Sequence, residues 1–163
     1  MRWTKLALEQ QFARVSAAGW LPYYEAAGKP YGFPVSLLLA LTSRETNCRN
    51  IIGDGGHGHG LGQIDDRSFP VWCERGLWKD PQEALRMSAY VLHRKLLEIS
   101  PSVPDADKLR VALVAYNTGS QRAVPDYFTG MPDRRTTGHD YSKDVLAREH
   151  VFAELLHARA TPP

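Results

Sequence analysis

Positions 35–41 read VSLLLAL, apolar at all but one position, and follow a proline at position 34. Proline suits the start of a helix, where its missing N–H costs nothing, and a helix apolar on all sides belongs inside a core. The pattern therefore predicts a buried central helix that opens at Pro34 and runs into SRETN. Downstream, Asp80-Pro81-Gln82-Glu83 combines an N-cap, a proline at the first helical position and an acid at the capping-box position. Leu85, Ala89, Leu92, Leu96 and Ile99 then form one apolar stripe at helical spacing, ended by Pro101 and Pro104. A further helix is expected from near Asp105 to Asn117, with Leu109, Ala112, Leu113 and Tyr116 inward and Gly119 as its stop signal. A last one, from about Asp140 to Arg159, carries Val145, Phe152, Leu155 and Leu156. The N-terminal stretch MRWTKLALEQQFARVSAAGW reads as an amphipathic helix with Leu6, Phe12, Ala13 and Val15 near one face. Strand character is confined to Gly60–Ile64. The expected fold class is mainly α, of the α+β kind: a helical domain around a buried central helix, with a small β excursion at a glycine-rich loop.

Length and composition narrow the class. At 163 residues the chain is expected to form a single domain, 1–163, large enough to bury a substantial core. Its 43% hydrophobic and 23% charged content is that of an ordinary globular protein. No apolar run approaches the roughly 18 residues of a membrane span, so no membrane insertion is expected. Glu9, Gln10 and Gln11 interrupt the N-terminal stretch before the apolar region of a signal peptide could form. A net charge of +2 falls short of a nucleic-acid footprint, which shows Lys and Arg clustered along one face. Cys48 and Cys73 form no CxxC pair, which removes zinc-ribbon and thioredoxin readings. They read as two free thiols, with a disulfide around the glycine loop as the alternative.

The chemistry concentrates in SRETNCRNIIGDGGHGHGLGQID, positions 43–65. Six of the chain's 13 glycines, at 53, 55, 56, 58, 60 and 62, fall within ten residues, so the backbone there turns tightly or approaches something closely. Glu45 shares a helical face with Leu38 and Leu41. There, near a helix C-terminus, desolvation and the macrodipole both oppose a negative charge, as a general acid working near neutral pH requires. The plainer reading is a solvated helix end with a salt bridge to Arg44 or Arg49. If the glycine loop folds back, Asp54 and Asp65 stand across a cleft from Glu45, an arrangement suited to hydrolysing a glycosidic bond. Asp54 before Gly55 is also a turn signal; Asp65-Asp66 is less easily explained that way. Gly53–Gly58 fits G-x-G-x-x-G, but a helix rather than a strand precedes it, and no Lys-Ser/Thr follows as a phosphate loop needs. His57 and His59 alternate without a second cluster to complete a coordination sphere, so no metal and no cofactor is expected, and their roles are loop hydrogen bonding or substrate contact. Tyr116 and Asn117 close an apolar helix, as a core tyrosine with a helix terminator or as a cleft-facing pair that hydrogen-bonds a sugar. Trp72 and Trp78 are core residues or stacking faces for sugar rings.

Four blocks, SRET at 43–46, GDGGHGHGLGQIDDRS at 53–68, AYNTG at 115–119 and TTGHDYSKDVLAR at 136–148, resemble in order and spacing the goose-type lysozymes, and more loosely the lytic transglycosylases. The resemblance implies a lysozyme-like fold and cleavage of the β-1,4 bond between N-acetylmuramic acid and N-acetylglucosamine in peptidoglycan. It implies Glu45 as general acid and Asp54 and Asp65 as the aspartates that hold and activate water. Gln63, Tyr116, Asn117 and Tyr141 fall on cleft-lining positions, and His59 is taken with them as a substrate contact. The chain departs from the animal pattern in a shorter connection between Glu45 and Asp54, in Gly62 for a customary methionine and in Phe69 for a frequent histidine. Asp65 is accordingly the firmer second carboxylate. Retention of the extra aspartates favours hydrolysis over transglycosylation, and a non-catalytic glycan-binding or virion protein is the rival from another class. A compact chain with no signal peptide in view looks like a phage endolysin or bacterial wall-lytic enzyme. The expectation is a monomer with a peptidoglycan strand as its partner, made in a host cytoplasm and released to act on the wall.

Overall fold

The computed structural model describes residues 3–161; Met1 and Arg2 of the expected first helix lie outside it. In chain order it contains α1 (Lys5–Ala17), α2 (Leu21–Gly28), α3 (Val35–Thr46), β1 (Ile52–Gly53), β2 (Gly58–His59), β3 (Ile64–Asp65), α4 (Pro70–Glu74), α5 (Pro81–Leu97), α6 (Asp105–Thr118), α7 (Ser120–Phe128) and α8 (Tyr141–Ala160). The fold is mainly α with one small antiparallel sheet in the order β1-β2-β3. Among the described residues no helix is long and apolar enough to cross a membrane. The chain divides into two compact units, one running up to Ala89 and resuming at Arg148, the other spanning Tyr90–Ala147.

The first unit is built on α3. Leu37, Leu38, Leu39, Ala40 and Leu41 are all buried, so this helix is surrounded, as its unbroken apolar run requires. Pro34 takes the N-cap position in extended conformation, one residue before the helix proper. α1 buries Leu8, Gln11 and Val15, at i, i+3 and i+7; of the expected face Val15 is inside and Phe12 half-buried, while Leu6 and Ala13 are exposed. The difference has a polar cause: Gln11 is drawn inward because its Oε1 accepts the Ser43 hydroxyl at 2.6 Å. The second unit has a counterpart of α3 in α6, where Val111–Ala115 are fully buried. α6 does stop at Gly119, but the chain restarts at once as α7, with Pro125 inside it. Asp126, wholly buried, receives Arg134 Nε at 2.7 Å. Asp133 accepts the Ser142 backbone N–H at 2.8 Å, which caps the first turn of α8.

Both cysteines are free and buried, as two thiols rather than a loop disulfide. Burial pushes the Cys48 and Cys73 thiols up to about 11. Burial also raises Tyr24, whose hydroxyl lies 2.8 Å from Thr42 Oγ1 beside Cys48. In all three the folded state holds its proton more tightly than the unfolded chain does. The contribution of the two cysteines is therefore complete below the ordinary thiol range and is lost as pH rises from about 9 to 11, and that of Tyr24 is lost only above the ordinary tyrosine range. Cys48 alone corresponds to about 3 kcal/mol over that window. Denaturant unfolding at pH 8 and pH 10.5 should show the loss, and Cys48→Ala should make it smaller. Equal stability at the two pH values would contradict this account.

Candidate active site

Glu45 sits in the last turn of α3 and is half-buried. The chain leaves that turn through two successive left-handed residues, Asn47 (φ 53°) and Cys48 (φ 56°), an αL exit made without glycine. Hydrogen bonds fix it. Arg14 Nη2 donates to the Asn47 carbonyl at 2.6 Å, and buried Arg148 donates to the Ser43 carbonyl at 3.1 Å and hydroxyl at 2.8 Å. Two cations at the carbonyl end of a helix also match its dipole. Thr46, the residue after Glu45, donates its hydroxyl to the carbonyl of Leu61 at 3.0 Å. The carboxylate-bearing helix end is thus tied to the glycine-rich loop.

That loop is the sheet. Three short strands appear where only Gly60–Ile64 had strand character, and Gly60–Gln63 is in fact the turn between β2 and β3. The register pairs Gly53 with Gly58 and Gly58 with Asp65, and in the next row Ile52 with His59 and His59 with Ile64. Directly opposite residues share a face and neighbours alternate, so Asp65 lies on the face of Gly53 and Gly58 while buried Ile64 lies on the other. The two glycines let the Gln63 side chain lie directly against the strand backbone. A Cβ on Gly53 or Gly58 would come within 2.3 or 2.4 Å of Gln63 Oε1. Gln63, itself at φ 51°, folds over that row and donates Nε2 to the Ile51 carbonyl at 3.1 Å and the Gly60 carbonyl at 3.0 Å. It braces the loop.

Asp54 opens a 3-10 turn with φ 49°, and its side chain is 72% exposed; this is the turn that Asp-Gly signals. Asp65 closes β3 with its side chain 38% exposed. Its Oδ1 accepts Arg67 Nε at 2.7 Å, and its Oδ2 accepts the Ser68 hydroxyl at 3.3 Å. Arg67 Nη2 stands 3.6 Å from Asp54 Oδ2, so one guanidinium reaches both aspartates. The sequence reading passed over this residue: the spacing of Asp65 and Arg67 hints at the local pair, but the reach to Asp54, thirteen positions away, is set by the fold.

Asp66, next to Asp65, accounts for the two loop histidines. His57 Nδ1 lies 2.9 Å from its Oδ1 and His59 Nε2 3.4 Å from its Oδ2. The His57 hydrogen bond, helped by His59, holds the Asp66 carboxyl below its ordinary range. His59 packs edge-on against Trp78 at 5.6 Å, with Nδ1 buried and unbonded. That arrangement puts the ring proton on Nε2, toward Asp66, since an unbonded buried N–H costs more than an unbonded lone pair. Among the described residues no three His, Cys, Asp or Glu side chains are placed to hold a metal ion. Trp72 is buried, with its indole N–H donated to Glu83 Oε1 at 3.2 Å, which makes it a core residue.

Three further residues expected at the site lie in the second unit. Tyr116 is half-buried at the end of α6. Asn117 Oδ1 accepts the Thr137 backbone N–H at 3.0 Å, so this side chain pins the turn before α8. Tyr141 is 2% exposed at the start of α8.

Comparison with known proteins gives this arrangement a family. The family model for lysozyme g matches residues 19–155. A lysozyme g of Cyprinus carpio is 32% identical over 133 residues, covering 77% of this chain and 68% of the fish protein. A lysozyme g of Takifugu rubripes is 34% identical over 136 residues, covering 77% and 70%. A glycine, glutamate and proline-rich protein of Lottia gigantea is 29% identical over 136 residues, of which this chain covers 32%. With most of its length matched, the chain belongs to the lysozyme g family and is a goose-type glycoside hydrolase.

Proposed function

We propose that this protein is a muramidase that hydrolyses the β-1,4 bond between N-acetylmuramic acid and N-acetylglucosamine by single displacement with inversion, and that it serves bacterial wall lysis in the manner of an endolysin. Glu45 protonates the leaving glycosidic oxygen. Asp65, helped by Asp54, takes the proton of a water that attacks the anomeric carbon from the opposite face of the sugar. His59 contacts the glycan in this reading and Gln63 braces the loop that carries it; within the second unit Asn117 braces the turn before α8. The observation that carries the proposal is the pair of aspartates sharing one guanidinium on a loop that is hydrogen-bonded to the end of the Glu45 helix. The aspartate–arginine cluster adds little to folding, because exposed ion pairs contribute only about 0–1 kcal/mol.

Mass spectrometry of digested peptidoglycan tests the reaction type. Hydrolysis yields reducing muropeptides that contain the elements of water. Release of 1,6-anhydro products, lighter by one water, would instead make the protein a lytic transglycosylase, and no cleavage at all would make it a glycan-binding protein.

A further inference from the structure

We infer that Arg67 is a positioning residue for the hydrolytic water, setting the direction of the Asp65 carboxylate and holding Asp54 beside it. The inference rests on the proposed function. Asp65 and Asp54 come from opposite edges of the sheet: β3 ends in Asp65, and Asp54 follows the last residue of β1, with β2 between. Neighbouring strands lie about 4.8 Å apart, so two strand spacings separate these edges and neither carboxylate can fix the other directly. Arg67 spans the gap. Directly after β3 the Ser68 and Phe69 amides donate to the Asp65 carbonyl at 3.1 and 3.0 Å, a tight turn that returns the Arg67 side chain over Asp65. Its Nε then meets Asp65 Oδ1 at 2.7 Å, while Nη2 stands 3.6 Å from Asp54 Oδ2.

The geometry favours positioning over stabilisation. The Arg67 side chain is 63% exposed and Asp54 is 72% exposed, where ion pairs add little to folding. A planar guanidinium nevertheless fixes direction: held through Nε, it leaves one side of the fork for the second carboxylate. Asp65 keeps a lone pair for a water on Oδ2, since Oδ1 accepts both Arg67 Nε and the Arg67 backbone N–H while Oδ2 accepts only the Ser68 hydroxyl. Asp54 gains from the same cation. It stands in a left-handed turn, a costly conformation for a residue other than glycine and one concentrated at functional sites.

The test is a double-mutant cycle on soluble peptidoglycan fragments, with kcat and KM measured for Arg67→Ala, Arg67→Lys, Asp65→Asn and Arg67→Ala/Asp65→Asn. Arg67→Ala should lower kcat about tenfold or more with KM nearly unchanged, because the contact orients a catalytic group rather than the ground-state substrate. Arg67→Lys should recover part of the loss. In the Asp65→Asn background, Arg67→Ala should change kcat less than about threefold, the non-additivity of residues that act through one another. Melting temperatures should agree within about 3 °C, as expected for an exposed pair. A wild-type kcat for Arg67→Ala, or fully additive losses, overturns the inference while leaving the muramidase reading standing. A wild-type kcat for Asp65→Asn overturns both.

Discussion

Glu45→Gln should lower kcat for wall-glycan cleavage by about 10²–10⁴-fold or more, with the fold unchanged. The substitution keeps the size and shape of the side chain and its helix propensity, and removes only the transferable proton. The Ser43 carbonyl and hydroxyl, the Thr46 hydroxyl and the Asn47 carbonyl tie down the end of α3 and are untouched by the substitution. A sugar alkoxide is a poor leaving group without a proton donor, so a general acid carries much of the rate. Turbidity clearing of permeabilised cells, with unfolding curves on the same samples, measures both quantities. A variant that clears cells at near wild-type rate would remove Glu45 from the chemistry.

Asp65→Asn should be the second large effect, with kcat reduced by about 10²-fold or more and KM little changed. An amide oxygen can still accept the Arg67 and Ser68 hydrogen bonds, so the loop stays in place. It cannot take a proton from water, and it presents no negative charge to the oxocarbenium-like transition state. Asp54→Asn should cost less, because Asp54 stands 3.6 Å from the Arg67 guanidinium, beyond hydrogen-bond distance, and is largely in solvent. If Asp54→Asn were the more damaging change, the roles of the two aspartates would be reversed.

Much of the helical frame was legible because apolar spacing and caps speak locally. The run at 35–41 specified α3, and Asp80-Pro81 specified the start of α5, where Asp80 Oδ1 accepts the Gln82 N–H at 3.0 Å. α1 was legible as a helix but not in its buried face, since Gln11 is inside through a long-range bond to Ser43 that no local pattern reveals. α7 was hidden because Gly119 ends one helix and begins the next. The β excursion was placed in the right loop, but its two-residue strands are set by pairing, not by propensity. At the site, the three acids and their order along the chain were readable. The Arg67 bridge to Asp54 and the Asp66 link to both histidines were not, because each depends on how two turns bring together residues seven to thirteen positions apart.

The central claim, an acid on α3 working with a water-activating aspartate on β3, is tested most directly by the configuration of the first product. Proton NMR should follow the anomeric signals of a soluble chitooligosaccharide or peptidoglycan fragment within the first turnovers, before mutarotation. Single displacement on a β-linked glycan requires the α-anomer to appear first and the β-anomer to follow at the rate of mutarotation. Initial release of the β-anomer, or of a 1,6-anhydro sugar with no reducing end, would contradict the account.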